Sequence, residues 1–115
     1  MSSECLFCRL VKGEIPAQKV FEDEEILAFR DINPQAPIHI LVIPKRHLSS
    51  LADFGEADRE LLGRLQLAVR RVAEEQVGPG QDYRLVLNSG ESAGQSVFHL
   101  HYHLLGGRTF RWPPG

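Results

Sequence analysis

Two cysteines, Cys5 and Cys8, are all that this 115-residue chain contains, and they stand three positions apart. That makes a poor disulfide framework and a good metal-ligand spacing. No apolar run approaches the about 20 residues needed to span a bilayer, so no membrane association is expected. The net charge of −2 lacks the basic excess that nucleic-acid binding requires. It leaves room for a small phosphate ligand held by a few donors. Met1–Cys5 has neither the basic nor the apolar region of a signal peptide, which predicts a cytoplasmic protein. A P-loop and a Gly-x-Gly-x-x-Gly fingerprint are both missing, so any phosphate site must be built another way. Repeats, low-complexity tracts and linkers are absent too, leaving one domain over residues 1–115 with one modest core.

What is present is a row of histidines. His99, His101 and His103 alternate with Leu100, Tyr102 and Leu104. In a β-strand, side chains i, i+2 and i+4 share one face, here about 6.7 Å apart. Three of the five histidines would then point into one small region, with the apolar partners facing a core. Imidazole serves as nucleophile, proton shuttle or metal ligand near neutral pH. Three ligands strung along one strand converge poorly on one ion. A nucleophile flanked by orienting and phosphate-binding neighbours fits the pattern better. A set of satisfied structural histidines is the competing reading.

The remaining chain supplies a scaffold. Leu6 to Val11 reads as a short helix, ended by Lys12-Gly13. Lys19 to Glu22, Glu25 to Arg30, Ile38 to Ile43 and Tyr83 to Leu87 read as strands, and the histidine strand as the last. Leu61, Leu62, Leu65, Val69, Val72 and Ala73 recur at helical spacing. Gly63 within that helix suggests close packing against a sheet. Gly78-Pro79-Gly80 ends the helix. Strands joined by loops, with one long helix and a short N-terminal helix, predict an α+β domain with a mostly antiparallel sheet. Gly94-Gln95-Ser96, just before the histidine row, could turn its N–H groups into an anion nest, or could be an ordinary hairpin loop.

With these residues in view, the chain resembles the histidine triad (HIT) family through His99-x-His101-x-His103 followed by two apolar residues. Gly13-Glu14-Ile15-Pro16, Asp31 to Pro37, Val42 to His47, Gly94-Gln95-Ser96-Val97 and Trp112-Pro113-Pro114-Gly115 extend the likeness nearly end to end, most closely to its Hint branch. Asn33 stands where some members carry Ser. The resemblance implies a HIT-like fold that dimerises into one extended sheet. It also implies a purine nucleoside phosphoramidase, releasing AMP or GMP from an amine through a nucleotidyl-histidine and requiring no cofactor for catalysis. His101 would be the nucleophile. His39 would join the imidazole network. His103 and Ser96 would bind phosphate oxygens or protonate the amine. Asp31 would hold the ribose and Ile32 the base. Asn88, Gly94, Gln95 and Ser96 would surround the phosphate.

The cysteines complete a second constellation. Cys5, Cys8, His47 and His99 would make a closed tetrahedral zinc site, as in some bacterial HIT proteins, distinct from the catalytic centre. Two reduced cysteines packing an N-terminal turn are the plainer reading. The resemblance also implies that the C-terminal tail of one subunit reaches toward its partner's site and affects the amine side of the substrate. Two further functions compete with the phosphoramidase: hydrolysis of dinucleoside polyphosphates, and a nucleotide-binding or protein-interaction module whose turnover is incidental.

Overall fold

The computed structural model describes residues 5–115. Helix α1 (Leu6–Val11) is followed by strands β1 (Lys19–Glu22), β2 (Ile26–Arg30) and β3 (Ile38–Pro44). Helix α2 (Arg59–Gln76), β4 (Tyr83–Leu87) and β5 (Tyr102–Gly106) complete the order. The five strands form one sheet, β1-β2-β3-β5-β4, with every neighbouring pair antiparallel. This is the α+β arrangement the sequence predicts, with one long helix and a short N-terminal one.

Alternation along β2 and β3 divides the core between two faces. Ile26, Ala28, Ile40 and Val42 meet Leu61, Leu65, Val69 and Val72 of α2, joined by Leu100, Tyr102 and Leu104. Leu27, Phe29, Leu41 and Ile43 meet Phe7 and Leu10 of α1 on the opposite face. Because both faces are covered, β2 and β3 read as continuous apolar runs rather than as clean alternation. No helix among the described residues is long and apolar enough to cross a membrane.

Two expectations change. The histidine strand forms its ladder only from Tyr102 onward. Just before it, the Leu100 N–H donates to the Leu48 carbonyl at 2.7 Å, so this stretch follows the loop after β3 instead of pairing with a strand. The alternation persists all the same. Leu100, Tyr102 and Leu104 enter the α2 side, while the His99 and His101 rings lie 6.0 and 5.1 Å from Phe7 of α1. The close packing expected at Gly63 is not there: the residue is exposed and an added Cβ would meet nothing within 4 Å. Nothing in the structure explains that glycine. The close approach is at Gly106, where a Cβ would come within 2.8 Å of the Val77 side chain just beyond α2.

Candidate active site

Sheet register assembles the imidazoles. Leu41 pairs with His103 and His39 with Leu105, so His39 and His103 are diagonal neighbours on the α1 face. His39 Nε2 lies 2.9 Å from His103 Nδ1. The Gln35 backbone N–H donates to His39 Nδ1 at 3.0 Å. That bond assigns the proton of neutral His39 to Nε2, which donates to His103 Nδ1, leaving His103 with its N–H at Nε2. Asp31 Oδ2 sits 3.4 Å from His39 Nε2, a longer and weaker alternative acceptor.

His101 takes the opposite tautomer. Its Nδ1–H donates to the His99 carbonyl at 2.8 Å, so its Nε2 carries a free lone pair. Burial lowers the pKa of His39, His101 and His103, and neighbouring His101 and His39 add to the effect at His103, which falls to about 4. Near neutral pH the site therefore offers an imidazole lone pair at His101 beside an imidazole N–H donor at His103.

Both groups line a cavity of about 760 Å³. Leu6, Phe7 and Leu10 of α1 form an apolar wall with Phe29 and Leu41, and Asp31, Ile32 and Ser96 also line the cavity. Ile32 is fully exposed. His39 is 5% exposed and acts behind His103 rather than in the cavity wall.

The loop before the histidines departs from its expected role. The Gly94 N–H is bonded to the Glu91 carbonyl at 3.0 Å and the Gln95 N–H to the Gly90 carbonyl at 3.1 Å. The buried Gln95 side chain accepts from the Gly90 N–H at 2.9 Å and donates to the Ser49 and Val97 carbonyls at 2.6 and 3.1 Å. Gln95 thus braces the loop and has no donor left for a nucleotide. Ser96 alone of Gly94-Gln95-Ser96 lines the cavity, and its N–H has no backbone partner among the described residues. Asn88 stands behind, with its amide nitrogen 3.6 Å from where a Cβ of Gly94 would lie.

Cys5, Cys8, His47 and His99 meet as expected, with one ligand atom from each inside a 4.8 Å cluster. His47 Nδ1 and His99 Nδ1 are 3.2 Å apart, Cys8 Sγ is 3.3 and 3.5 Å from them, and Cys5 Sγ is 3.4 Å from His99 Nδ1. Zinc bonded to nitrogen at about 2.0–2.1 Å and to thiolate at about 2.3 Å defines a tetrahedron with edges of roughly 3.3–3.8 Å. The donor set and its spacing therefore fit zinc. The His99 Nε2–H donates to the Pro44 carbonyl at 2.7 Å, which turns the Nδ1 lone pair into the cluster. Burial, then the Cys5 hydrogen bond and charge, push the Cys8 thiol up to about 11; a cation among these ligands would favour the thiolate. This cluster is not separate from the histidine site: the same His99 supplies a ring to one and a carbonyl to the other.

The sequence gives no signal for the α1 wall or for the Gln35 N–H, because both meet the histidines only through tertiary packing. It also misses the cations that hold the tail. Arg108 lies 4.2 Å from the Phe110 ring centre, and Arg84 lies 5.4 and 6.0 Å from those of Phe110 and Trp112.

Comparison with known proteins places this site among relatives. A family profile described as "Scavenger mRNA decapping enzyme C-term binding" matches residues 4–109. An uncharacterized HIT-like protein of Synechocystis sp. is 50% identical over 115 residues, covering 100% of both chains. A 14 kDa zinc-binding protein of Zea mays is 53% identical over 115 residues, covering 98% of this chain and 89% of its own. The crystal structure of a HIT family hydrolase from Legionella pneumophila superposes with a TM-score of 0.94 at 50% identity, covering 97% of this chain and 100% of that one. A HIT family hydrolase from Clostridium thermocellum gives 0.88 at 43% identity and 94% of each chain.

Proposed function

This chain belongs to the HIT superfamily and is hydrolase-like, and from that premise we propose that it is a Hint-type purine nucleoside 5'-phosphoramidate hydrolase. The observation that carries the reading is the 2.8 Å bond from His101 Nδ1–H to the His99 carbonyl, which aims a neutral Nε2 lone pair at the cavity. A base fits the apolar wall under Ile32, and the ribose hydroxyls meet Asp31. His101 Nε2 attacks the α-phosphorus, forming a P–N bond as the substrate's own P–N bond breaks. The departing nitrogen needs one proton. Ser96 is exposed and can relay that proton from solvent, so a neutral amine leaves. His103 Nε2–H and the Ser96 N–H hold the phosphoryl oxygens as charge develops. Water then attacks the cationic nucleotidyl-imidazole, the electron pair of the P–N bond returns to Nε2, and a proton goes back to solvent.

One relative supports a further part of the proposal. The Zea mays protein's name, together with the convergence of four ligand atoms within 4.8 Å of one another, supports zinc held by Cys5, Cys8, His47 and His99. We also propose a homodimer joined through the β4 edge, where Tyr83 is 42% exposed beside the tail.

The test is steady-state hydrolysis of an adenosine 5'-phosphoramidate by wild type and His101→Ala, with a dinucleoside polyphosphate in parallel. Turnover of the phosphoramidate that disappears in the variant is the expected result. Preference for the dinucleotide would transfer the same His101 chemistry to a phosphate leaving group, the direction in which the decapping-enzyme description of the matched family points. AMP binding with no turnover of either would overturn the hydrolase.

A further inference from the structure

The two centres meet at three places. His99 is the first: its ring Nδ1 lies 3.2–3.5 Å from the other three cluster atoms, while its carbonyl holds the Nδ1–H of His101. The ring is fully buried and pinned by the Pro44 carbonyl, so a movement of the His99 ring large enough to carry its backbone also moves the acceptor that orients the nucleophile. Phe7 is the second. It stands between Cys5 and Cys8 in sequence, and its ring is edge-on to His101, 5.1 Å between centroids and 86° between planes. The third is α1 as a whole. Six residues are too few to hold a helix alone in water, so its position depends on its anchors. Those anchors are the apolar contacts of Phe7 and Leu10 and the two cysteines, Cys5 capping the helix by accepting from the Cys8 N–H at 3.3 Å. Leu6, Phe7 and Leu10 of this helix wall the large cavity.

The cluster is also reachable. A second hollow of about 410 Å³, lined by Cys5, His47, Ser49 and Phe98 among others, opens beside it, and His47 is exposed. A metal held there has an entry path and can exchange with its surroundings, unlike one enclosed in a core.

Building on the nucleotide reading above, we propose that Cys5, Cys8, His47 and His99 form an exchangeable divalent-cation site that sets nucleotide affinity, with His99 and Phe7 as the positioning residues that carry its state to His101. A filled cluster fixes α1 and the His99 carbonyl together, so the cavity wall and the nucleophile are in place before the ligand arrives. An empty cluster leaves α1 to be ordered by the ligand itself, at a cost in affinity. The coupling must be reciprocal, because it is a difference in binding free energy.

The experiment is calorimetric titration of AMP into chelator-stripped and zinc-loaded full-length protein, with circular dichroism confirming that the stripped chain is folded. Zinc is expected to tighten AMP about fivefold or more. In the reverse arm, AMP is expected to tighten zinc by the same factor, read by competition with a chromophoric chelator. If the stripped chain unfolds, AMP tightens zinc merely by binding the folded state, and the inference then stands only if the coupling factor falls in folded Phe7→Leu and is overturned if it does not. Phe7→Leu keeps an apolar wall and removes the aromatic edge; zinc should still bind one per chain while the coupling factor falls toward one. Equal AMP affinity with and without zinc, or no zinc binding at all, overturns the inference and leaves the hydrolase standing. AMP that binds neither form overturns both. Full coupling in Phe7→Leu removes Phe7 from the positioning role.

Discussion

His39 Nε2 approaches His103 Nδ1 to 2.9 Å, and the Gln35 N–H on the far side of the His39 ring decides which of the two carries the proton. One backbone donor thus sets two tautomers in series and leaves an N–H on the cavity side of His103. His39→Phe keeps a ring in the sheet and removes the chain of protons. The expected loss is about 10- to 100-fold in kcat, the size seen when the hydrogen-bond partner of a metal-ligating imidazole is removed. AMP affinity should change less, because His39 does not line the cavity. Steady-state kinetics beside AMP titration separates the two. An equal loss in both would make His39 a structural residue.

Gln95 supports the same site from the loop. Its side chain is 2% exposed and bonds three backbone groups across residues 49–97. Gln95→Leu would leave the Gly90 N–H and the Ser49 and Val97 carbonyls short of partners, and should cost about 2 kcal/mol in urea unfolding. The AMP affinity of the folded variant should fall because Ser96 is no longer held. Unchanged stability would show that water replaces all three bonds.

The contrast between Gln95 and His101 shows what could be read from the chain. Period-two alternation is a local property, so the shared face of His99, His101 and His103 is legible, while β2 and β3 are legible as strands but not as two faces, because both of their sides are apolar. Gln95 and Ser96 are adjacent polar residues in one loop, and nothing local says that the first is buried and the second exposed. The meeting of Cys5 and Cys8 with His47 and His99 was legible as a ligand set. That His99 also orients His101 was not, because it depends on a carbonyl, and every residue has one. Gly63 remains a case where a helical glycine carries no packing information at all.

The buried imidazoles give the fold an acid-sensitive edge. His103 has its pKa lowered from 6.5 to about 4, first by burial and then by the nearby His101 and His39, with Asp31 opposing. The folded value is the depressed one, so the unfolded chain takes up this proton first as pH falls. The His103 contribution is complete above about pH 6.5 and is lost progressively down to about pH 4. The slope is at most about 1.4 kcal/mol per pH unit per group, less here because the cavity is open to solvent. Urea midpoints at pH 8, 7, 6 and 5 should fall below pH 6.5 in wild type and fall less steeply in His103→Gln. Parallel curves would place the acid sensitivity elsewhere.

The tail tests the other end of the substrate. Arg84 donates to the Arg111 carbonyl at 2.8 Å, and with Arg108 it holds Phe110 by cation–π contacts, while Trp112 remains 80% exposed. The indole is held near the edge strand β4 by Arg84, 6.0 Å from its ring centre. None of the residues from 108 to 115 lines the large cavity, so the tail lies apart from the proposed base and ribose site. In the proposed homodimer, with the tail reaching its partner's site as the family resemblance implies, the indole would stand on the leaving-group side. Deleting Trp112 to Gly115 should then change kcat/KM unequally across aliphatic and aromatic amine substrates, while AMP affinity stays within about twofold, a difference below ~0.5 kcal/mol. Arg84→Leu, which loosens the tail without removing it, should shift the same preference in the same direction by less. Equal losses for every amine would leave the tail a cover for the sheet edge, and sedimentation of the truncated chain would then show whether it also holds the dimer together.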